Sequence, residues 1–600
     1  MTMSEYRPPL ADIAFILEHV VGYPAIAELP GYEHADLETV LELLEQAGEF
    51  MAEVVAPTNR AGDTQGAVRL PDGSVVTPDG FKEAYRQYVE AGWGSVPLPE
   101  EFGGGGFPRT VGLLLQEMMT SANMAFALCP LLTQGAIEAL VNYGDLEQQQ
   151  RYLPKMVTGE WAATMNLTEP QAGSDVGALT TRAVRRDDGT YGITGQKIFI
   201  TFGNHDLAEQ IVHLVLARTP DAPVGTRGIS CFIVPKFLVN DDGSLGASNN
   251  VSTLSIEHKL GIHGSPTCVQ AYENSTGYLI GEENLGMRIM FVMMNSARLS
   301  VGMQGLAVGE RAYQQSLAYA QERRQGRAVG VSERDSAIIE FPDVRRMLMT
   351  QKAYLAALRR LMLLNASYVD HSTHDPDPAS RARADEIVGL LTPICKSFGT
   401  DLGNELTSLA LQIHGGMGFI EETGVAQHYR DVRIAAIYEG TNGIQAADLI
   451  VRKLGVRDGA SALEFIASMR EIDAELAAAG DEFASIRAEL GQQLDALHRA
   501  TIWMLKTGPT DPNAALSGSS PYLRMWGLVV CGWLMARSAL AAANIDSADV
   551  AESQLVLARF YAEQLLPQCA GLLPAATAGS RDLFALDADQ LGSVVRRRVG

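Results

Sequence analysis

The sequence predicts a mainly α-helical protein with a β domain at its centre, and three observations support this fold class. Apolar residues recur at steps of three and four in the first quarter of the chain and again from Gly286 onward. Between Trp161 and Gly281, short runs rich in β-branched and aromatic residues alternate with turn residues. At 600 residues the chain is far too long for one compact core, so several domains are expected.

The amino-terminal quarter is expected to be helical. Apolar residues keep helical spacing from Asp36 to Val55, and Pro57 ends this pattern because proline disrupts a helix interior. Further helices are predicted at Phe81–Glu90, Val111–Thr120 and Leu131–Tyr143. Together these elements predict an amino-terminal helical domain over residues 1–160.

The next segment, residues 161–285, is expected to form the β domain. Its apolar runs are short, and turns such as Asp188-Gly189 and Asp242-Gly243 separate them. The predicted strands are Ala162–Thr168, Tyr191–Thr201, Ile211–Arg218, Ile229–Pro235 and Val269–Glu273.

Helical periodicity returns in the second half of the chain. A helical bundle is predicted over residues 286–455, with helices at Gly286–Gln325, Val344–Val369, Arg381–Ile413 and Gly424–Lys453. Beyond it the composition shifts toward Ala, Leu, Glu and Gln, which predicts an additional helical domain over residues 456–600. Its predicted elements are helices at Ala462–Arg470, Ala474–Leu505 and Val550–Leu566 and a long loop at Gly508–Pro521.

Composition and charge argue against several classes of function and indicate the compartment of the protein. The chain carries 71 acidic and 47 basic residues, a net charge of −24, which opposes general nucleic-acid binding and requires a locally basic pocket for any anionic ligand. The six cysteines have no metal-ligand spacing, so we expect no metal site and a reducing compartment. Residues 1–29 lack a basic signal-peptide region, and no apolar run appears long enough to span a bilayer, so a cytoplasmic location is expected.

Three segments that contain glycine indicate the chemistry of the protein. The first, Tyr438-Glu439-Gly440-Thr441, places a lone carboxylate beside a glycine; the others are Gln412–Phe419 and Thr168–Asp175. A glutamate that is partly removed from water can act as a base toward a carbon acid, and Gly440 lets a substrate approach without a Cβ in the way. Taken alone, Glu439 is more commonly a solvated residue at a helix end.

Together, the three segments resemble the acyl-CoA dehydrogenase family of flavoenzymes. The resemblance spans roughly Leu37 to Lys453, and the whole length is similar to the longer bacterial subgroup, which includes broad-range fatty acyl-CoA and 3-methylmercaptopropionyl-CoA dehydrogenases. It implies an amino-terminal helical domain, a β-barrel or β-sandwich, a four-helix bundle and an extra carboxyl-terminal helical domain. It also implies FAD as cofactor and a place in fatty acid β-oxidation.

The resemblance assigns a reaction to Glu439. In the family, this glutamate removes the α-proton of an acyl-CoA thioester while flavin N5 accepts the β-hydrogen as hydride, giving a trans-2-enoyl-CoA. A flavin ribityl hydroxyl and the backbone N–H of Glu439 are expected to stabilise the thioester carbonyl, an effect of the oxyanion-hole type. Gly440, Ser174, Arg298 and Asn295 are the implied substrate residues; Arg298 is placed at the mouth of the acyl-CoA tunnel, and Asn295 stands where the family commonly has an acidic residue.

The resemblance also assigns residues to FAD. Phe199 replaces the usual tryptophan that packs on the isoalloxazine, Thr201 is expected to donate toward N5, and Arg323 is expected to reach the pyrophosphate of a neighbouring subunit. Alternatively, Phe199 is an ordinary core aromatic and the 168–174 segment an ordinary turn. The remaining implied FAD residues are Met165, Leu167, Thr168, Gly173, Ser174, Gln412, Gly415, Gly416 and Thr441.

Partners and rival functions follow from the same resemblance. An electron-transfer flavoprotein is the implied electron acceptor, and a homodimer is favoured because a second subunit completes the FAD site. One rival is an acyl-CoA oxidase that reduces oxygen directly. A DNA-associated flavoprotein on the same fold is opposed by the net charge, and a scaffold without chemistry is opposed by Glu439 and the 168–174 segment. Fatty, branched, aromatic and thioether acyl groups all stay open.

Overall fold

The computed structural model describes residues 6–330 and 335–592, which form two compact units. The first comprises the described parts of Met1–Ala14, Tyr23–Arg345 and Leu402–Glu439. The second comprises the described parts of Phe15–Gly22, Arg346–Asp401 and Gly440–Gly600. The predicted fold class, mainly α with a central β domain and further helices beyond it, is confirmed. The four domain bounds stay predictions.

The amino-terminal part is helical, as the periodicity predicts. Asp36 starts α3 by accepting a hydrogen bond from the Thr39 N–H at 2.8 Å, and a π-helical turn, Met51–Val55, extends that helix almost to Pro57. The hairpin strands β1 (Val68–Arg69) and β2 (Val75–Val76) interrupt the helices. The helices are α1 Leu10–His19, α2 Tyr23–Ala27, α3 Leu37–Phe50, α4 Thr58–Gln65, α5 Phe81–Glu90, α6 Arg109–Ala122, α7 Met124–Tyr143 and α8 Leu146–Thr158.

The central strands build one seven-stranded sheet and a separate two-stranded sheet. They are β3 Trp161–Asn166, β4 Arg182–Arg185, β5 Tyr191–Thr201, β6 Gln210–Ala217, β7 Ser230–Pro235, β8 Phe237–Val239, β9 Leu245–Ser248, β10 Val251–Ile256 and β11 Thr267–Leu279. β8 and β9 pair as the two-stranded sheet, and the order of the seven-stranded sheet is β3-β6-β7-β11-β5-β4, with β10 also paired to β11. Only the β3–β6 pair of this described sheet is parallel. Arg218 exchanges backbone hydrogen bonds with Thr181 and Ala183 at 2.9 and 2.8 Å, so the end of β6 meets the start of β4 and the sheet curves toward a barrel.

Two apolar clusters hold this sheet in place. One lies inside the curved sheet and includes Tyr191, Phe232 and Tyr272. The other packs the opposite face against α7 and α8 and includes Leu140, Tyr152 and Trp161. Every residue of β3 is buried, which explains why this strand lacks an apolar–polar alternation in the sequence.

The remaining described residues are mainly helical. The elements are α9 Gly286–Glu322, α10 Pro342–His374, α11 Pro378–His414, α12 Val425–Val432, α13 Asn442–Asp448, α14 Ala460–Arg470, α15 Ile472–Ala479, α16 Ala484–Thr507, α17 Pro512–Ser517, α18 Ser519–Ala542, α19 Ala548–Phe560, α20 Gln568–Ala576 and α21 Ala588–Gly592.

Two predicted helices and one predicted loop were wrong in detail. The segment Gly424–Lys453 is not one helix. α12 is followed by a 3₁₀ turn, Arg433–Ala436, and a non-helical segment separates this turn from α13. Ala474–Leu505 is divided at Gly480, whose φ of +114° is incompatible with a right-handed helix. The predicted loop Gly508–Pro521 contains α17, because Asp511 accepts a hydrogen bond from the Ala514 N–H at 3.0 Å and starts a helix there.

Within the described residues, α7 and α18 are long and apolar enough to cross a bilayer by length and composition. Polar residues such as Gln134 and Glu138 interrupt the apolar run in α7, so the sequence alone did not predict that this helix is apolar enough to span a bilayer. The protein itself buries 89% and 83% of their apolar windows, so they are core helices of the fold.

Candidate active site

Glu439 lies in the break between the 3₁₀ turn Arg433–Ala436 and α13. Its φ is +56°, a conformation that residues other than glycine rarely adopt, so the backbone is strained at this position. The residue is half-buried. Gly440 follows with φ +81°, and a Cβ there would lie 2.8 Å from Gln445 Nε2, so glycine is required at this turn.

Tyr438 anchors the backbone just before Glu439. Its hydroxyl donates a hydrogen bond to Gln304 Oε1 on α9 at 2.5 Å. Burial and the nearby negative charge of Glu439 raise the pKa of Tyr438. Tyr438 therefore remains a neutral donor, and the tyrosine side chain fixes the carboxylate-bearing turn to α9.

The residues after Glu439 are fixed by side-chain hydrogen bonds. Thr441 Oγ1 accepts from the Ile444 N–H at 3.2 Å and so caps α13. The Asn442 amide accepts from Lys396 Nζ at 2.9 Å and donates to Asp401 Oδ1 at 2.7 Å, both on α11. This partly buried network determines where α13 begins.

The predicted flavin segment leaves β3 and turns along β5. Met165 is buried, Leu167 and Thr168 are half-buried, and Gly173 and Ser174 are exposed. The carbonyl of Thr168 accepts a hydrogen bond from the Ile198 N–H at 2.9 Å. Two predicted FAD segments that are thirty residues apart in sequence are thus neighbours in space.

Phe199 occupies a β-bulge in β5. Ile200 pairs with Cys268 and Lys197 with Gln270, so two residues of β5 oppose a single residue of β11. Phe199 has φ +59° and is 59% exposed, which is unusual for a large aromatic residue. The bulge turns the ring out of the core, against the alternative that Phe199 is a core aromatic.

The donors around this ring suit a flavin. The hydroxyls of Thr168, Ser174 and Thr201 form no hydrogen bond with any other described residue. A Cβ added at Gly173 would meet nothing within 4 Å, so the backbone there is open to a ligand. Open hydroxyls, an accessible glycine and an exposed aromatic face together match the hydrogen-bonding edge and planar ring of FAD.

A buried ion pair that the sequence pattern did not predict lies in this region. Lys197 Nζ lies 2.8 Å from Glu169 Oε1, and the two side chains are 0% and 2% exposed. Although burial alone would raise it, the pKa of Glu169 is lowered by the ammonium of Lys197 and by the hydrogen bonds of Thr180 and Thr181. The alternation of side chains along β5 could have indicated that Lys197 is buried. Lys197 lies an even number of residues after Tyr191 and Ile193, so its side chain is on the same, inward face of the strand.

The predicted CoA residues lie on α9. Arg298 is 4% exposed and donates to Asn295 Oδ1, at a long 3.5 Å, from one turn away. Asn295 itself is exposed. Their predicted contact with CoA stays a prediction.

The residues predicted to reach a neighbouring subunit cluster together. Arg323 is exposed at the carboxyl-terminal end of α9, and Gln412, Gly415 and Gly416 are exposed at the end of α11. The rings of Tyr319 and His414 stack at 4.4 Å and hold the two helix ends side by side. The structure brings these four predicted residues into one exposed region.

Family models match four consecutive parts of the chain. The Acyl-CoA dehydrogenase N-terminal, middle and C-terminal domain models match residues 38–160, 164–275 and 284–454. A model described as Acetyl-CoA dehydrogenase C-terminal like matches residues 467–587.

Similar proteins extend over nearly the full length. The 3-methylmercaptopropionyl-CoA dehydrogenase of Ruegeria pomeroyi is 47% identical over 94% of this chain and 96% of that protein. The broad-specificity linear acyl-CoA dehydrogenase FadE5 of Mycobacterium tuberculosis is 33% identical over 98% of this chain and 99% of that protein. A solved acyl-CoA dehydrogenase from Bacillus anthracis, complexed with FAD, shares the fold with a TM-score of 0.73 at 21% identity, over 96% of this chain and 93% of that chain. The chain belongs to the acyl-CoA dehydrogenase family of oxidoreductases, in its longer subgroup of about 600 residues.

Proposed function

We propose that the protein catalyses the FAD-dependent α,β-dehydrogenation of an acyl-CoA thioester to the trans-2-enoyl-CoA. The carboxylate of Glu439 is the proposed base for the α-proton. The observation that carries this assignment is the strained, half-buried turn that holds Glu439 between two fixed neighbours, Tyr438 and Asn442. Strain of this kind persists only where the surroundings impose it, and it is concentrated at functional sites.

FAD is the cofactor of this family. When bound, it would supply the acceptor for the β-hydrogen of the substrate. Thr168, Ser174 and Thr201 would hold its ring through hydroxyl donors, and the exposed face of Phe199 would stack on it. Met165, Leu167, Gly173 and Thr441 complete the proposed set in this subunit.

Short acyl groups, including thioether acyl groups, are the proposed substrates. Support comes from the 47% identity, over nearly the whole chain, to a protein named for 3-methylmercaptopropionyl-CoA. Ser174, Asn295, Arg298 and Gly440 are the proposed substrate residues. In a protein of net charge −24, the guanidinium of Arg298 would offset the negative charge of CoA.

A homodimer is the proposed assembly. Arg323, Gln412, Gly415 and Gly416 are exposed together, as residues that contribute to a second subunit's FAD site would be. Phe419, three residues after Gly416, is 92% exposed, and a subunit interface would bury it.

Electron transfer and location complete the proposal. We favour an electron-transfer flavoprotein over oxygen as acceptor because the full-length relatives are named dehydrogenases. The six cysteines are buried free thiols, which suits a cytoplasmic enzyme of β-oxidation.

Anaerobic titration of the flavin absorbance with a panel of acyl-CoAs tests the proposed reaction. The parent should bleach with its substrate, and Glu439→Gln should bleach at least about 100-fold more slowly, the usual contribution of a general base. Glu422→Gln, an exposed carboxylate nearby in sequence, is the control. Equal bleaching rates for parent and Glu439→Gln would refute the base assignment. Turnover with oxygen but none with a dye acceptor would favour an oxidase.

A further inference from the structure

The Glu169–Lys197 pair is more elaborate than a simple ion pair. Besides the bond from Lys197, the Glu169 carboxylate accepts five hydrogen bonds. Four come from the backbone N–H groups and hydroxyls of Thr180 and Thr181, at 2.6 to 3.1 Å, and one comes from the Gln171 side-chain amide at 2.7 Å. Lys197 Nζ donates a second hydrogen bond, to the Leu167 carbonyl at 2.9 Å. The pair therefore ties together the segment after β3, the start of β4 and the middle of β5.

Both residues of the ion pair lie close in sequence to proposed FAD residues. Glu169 follows Thr168 directly, and Lys197 lies two residues before Phe199. The Ile198 N–H donates to the Thr168 carbonyl between them. The only polar links between the Thr168 and Phe199 segments within the described residues are this backbone bond and those of Lys197.

A gain in folding stability is a weak explanation for the presence of a buried ion pair. Taking two charges out of water costs about as much free energy as their attraction returns, and apolar residues of similar volume often serve equally well. Geometry gives a better reason, because a bound ligand is held well only when the residues touching it are fixed by a second layer of contacts.

We propose that Glu169 and Lys197 are positioning residues for FAD: their ion pair sets the separation of Thr168 from Phe199, and so the fit of the flavin ring between them. The pair itself touches neither the ring nor the substrate in this assignment. The inference rests on the FAD binding of the proposed function.

The test is FAD titration of apo-protein, followed by flavin fluorescence, for the parent, Glu169→Gln, Lys197→Met and the double variant. Each single variant should raise the FAD dissociation constant about tenfold or more, the effect typical of losing a partner that orients a binding residue. The visible absorption maxima of bound flavin should also shift, because the ring sits differently against Phe199. Each single variant leaves one buried charge without its partner, whereas the double variant removes both charges. The double variant should still bind FAD more weakly than the parent.

A milder variant and a matched control separate positioning from folding. Thr180 is exposed, so Thr180→Val should fold normally; its loss of one hydrogen bond to Glu169 should change affinity and spectrum in the same direction, less strongly. Glu283 accepts a hydrogen bond from Tyr191 at the other end of β5, and Glu283→Gln should match the parent. Circular dichroism of each apo-protein reports folding.

Three results are decisive. Parent-like affinity and spectrum in Thr180→Val and in the folded Glu169 or Lys197 variants would overturn the inference. An equal loss in Glu283→Gln would overturn it too, because the effect would then be general to β5. A parent protein that takes up no FAD would instead refute the proposed function.

Discussion

Glu439, the proposed base, has a backbone conformation that opposes its side chain. A Cβ at φ +56° costs roughly 1–2 kcal/mol relative to glycine. The sequence pattern suggested the carboxylate but contained nothing about its dihedral angle.

The strain predicts the stability ranking of two variants that lack the Glu439 carboxylate. Glu439→Gly and Glu439→Ala both remove the carboxylate and its contacts, but only glycine adopts φ +56° freely. We expect Glu439→Gly to be more stable than Glu439→Ala by about 1 kcal/mol in urea unfolding. If alanine proves the more stable of the two, the strain is absent in solution.

Asp431 predicts a pH-dependent stability. Burial raises its pKa from 3.8 to about 6, and the charge of Asp63 adds to this, although the Ile262 N–H acts in the opposite direction. Because the folded-state pKa is raised, the stabilisation from protonated Asp431 is complete below pH 3.8 and disappears as the pH rises to about 6.

Thermal unfolding between pH 4 and 7 checks this prediction. The melting temperature of Asp431→Asn, relative to the parent, should rise across that interval because the asparagine never ionises. Asp495→Asn, which alters an exposed pair with Arg470, should show no such trend. A constant difference between Asp431→Asn and the parent would mean that Asp431 titrates normally.

The position at which α13 begins is fixed by side chains of α11. The Asn442 amide meets Lys396, Thr400 and Asp401, which lie on α11. Lys396 is fully buried, so the amide oxygen satisfies part of the hydrogen-bonding need of a charge that has left water. α13, and with it the end of the Glu439 turn, depends on these bonds.

Asn442→Leu should therefore destabilise the protein by about 2–3 kcal/mol, the cost of losing a hydrogen bond to a buried charged group. The free energy of unfolding in urea measures this change. Asn513→Ala, at an exposed position of α17, should change it by less than about 0.5 kcal/mol. Similar values for the two variants would show that the Asn442 amide contributes little.

At the scale of the molecule, the carboxyl-terminal helices share a core with α10 and α11 in the second unit. Arg360 of α10 donates to Ser538 of α18 at 2.7 Å and to Gln554 of α19 at 3.0 Å. A Cβ added at Gly527 of α18 would lie 2.4 Å from the ring of Phe398. The extra helices thus cover side chains of the bundle helices.

A chain that ends at Leu454 should consequently fail to fold, although the family models give the first 454 residues three of the four domains. It would expose the buried Arg360 and Phe398 to water. Soluble expression and circular dichroism of the shortened chain test this expectation. A soluble, helical and cooperatively unfolding product would contradict it.

The sequence determined the order of helical and β segments, because periodicities of 3.6 and 2 are local properties of the chain. Through its motif residues it also pointed to the family and to Glu439. The sequence did not predict the break before α13, because a positive φ at a glutamate such as Glu439 is not a local preference of that residue type. Only the tertiary structure joined Thr168 to the strand of Phe199 and paired Glu169 with Lys197, since contacts between residues about thirty positions apart depend on strand register.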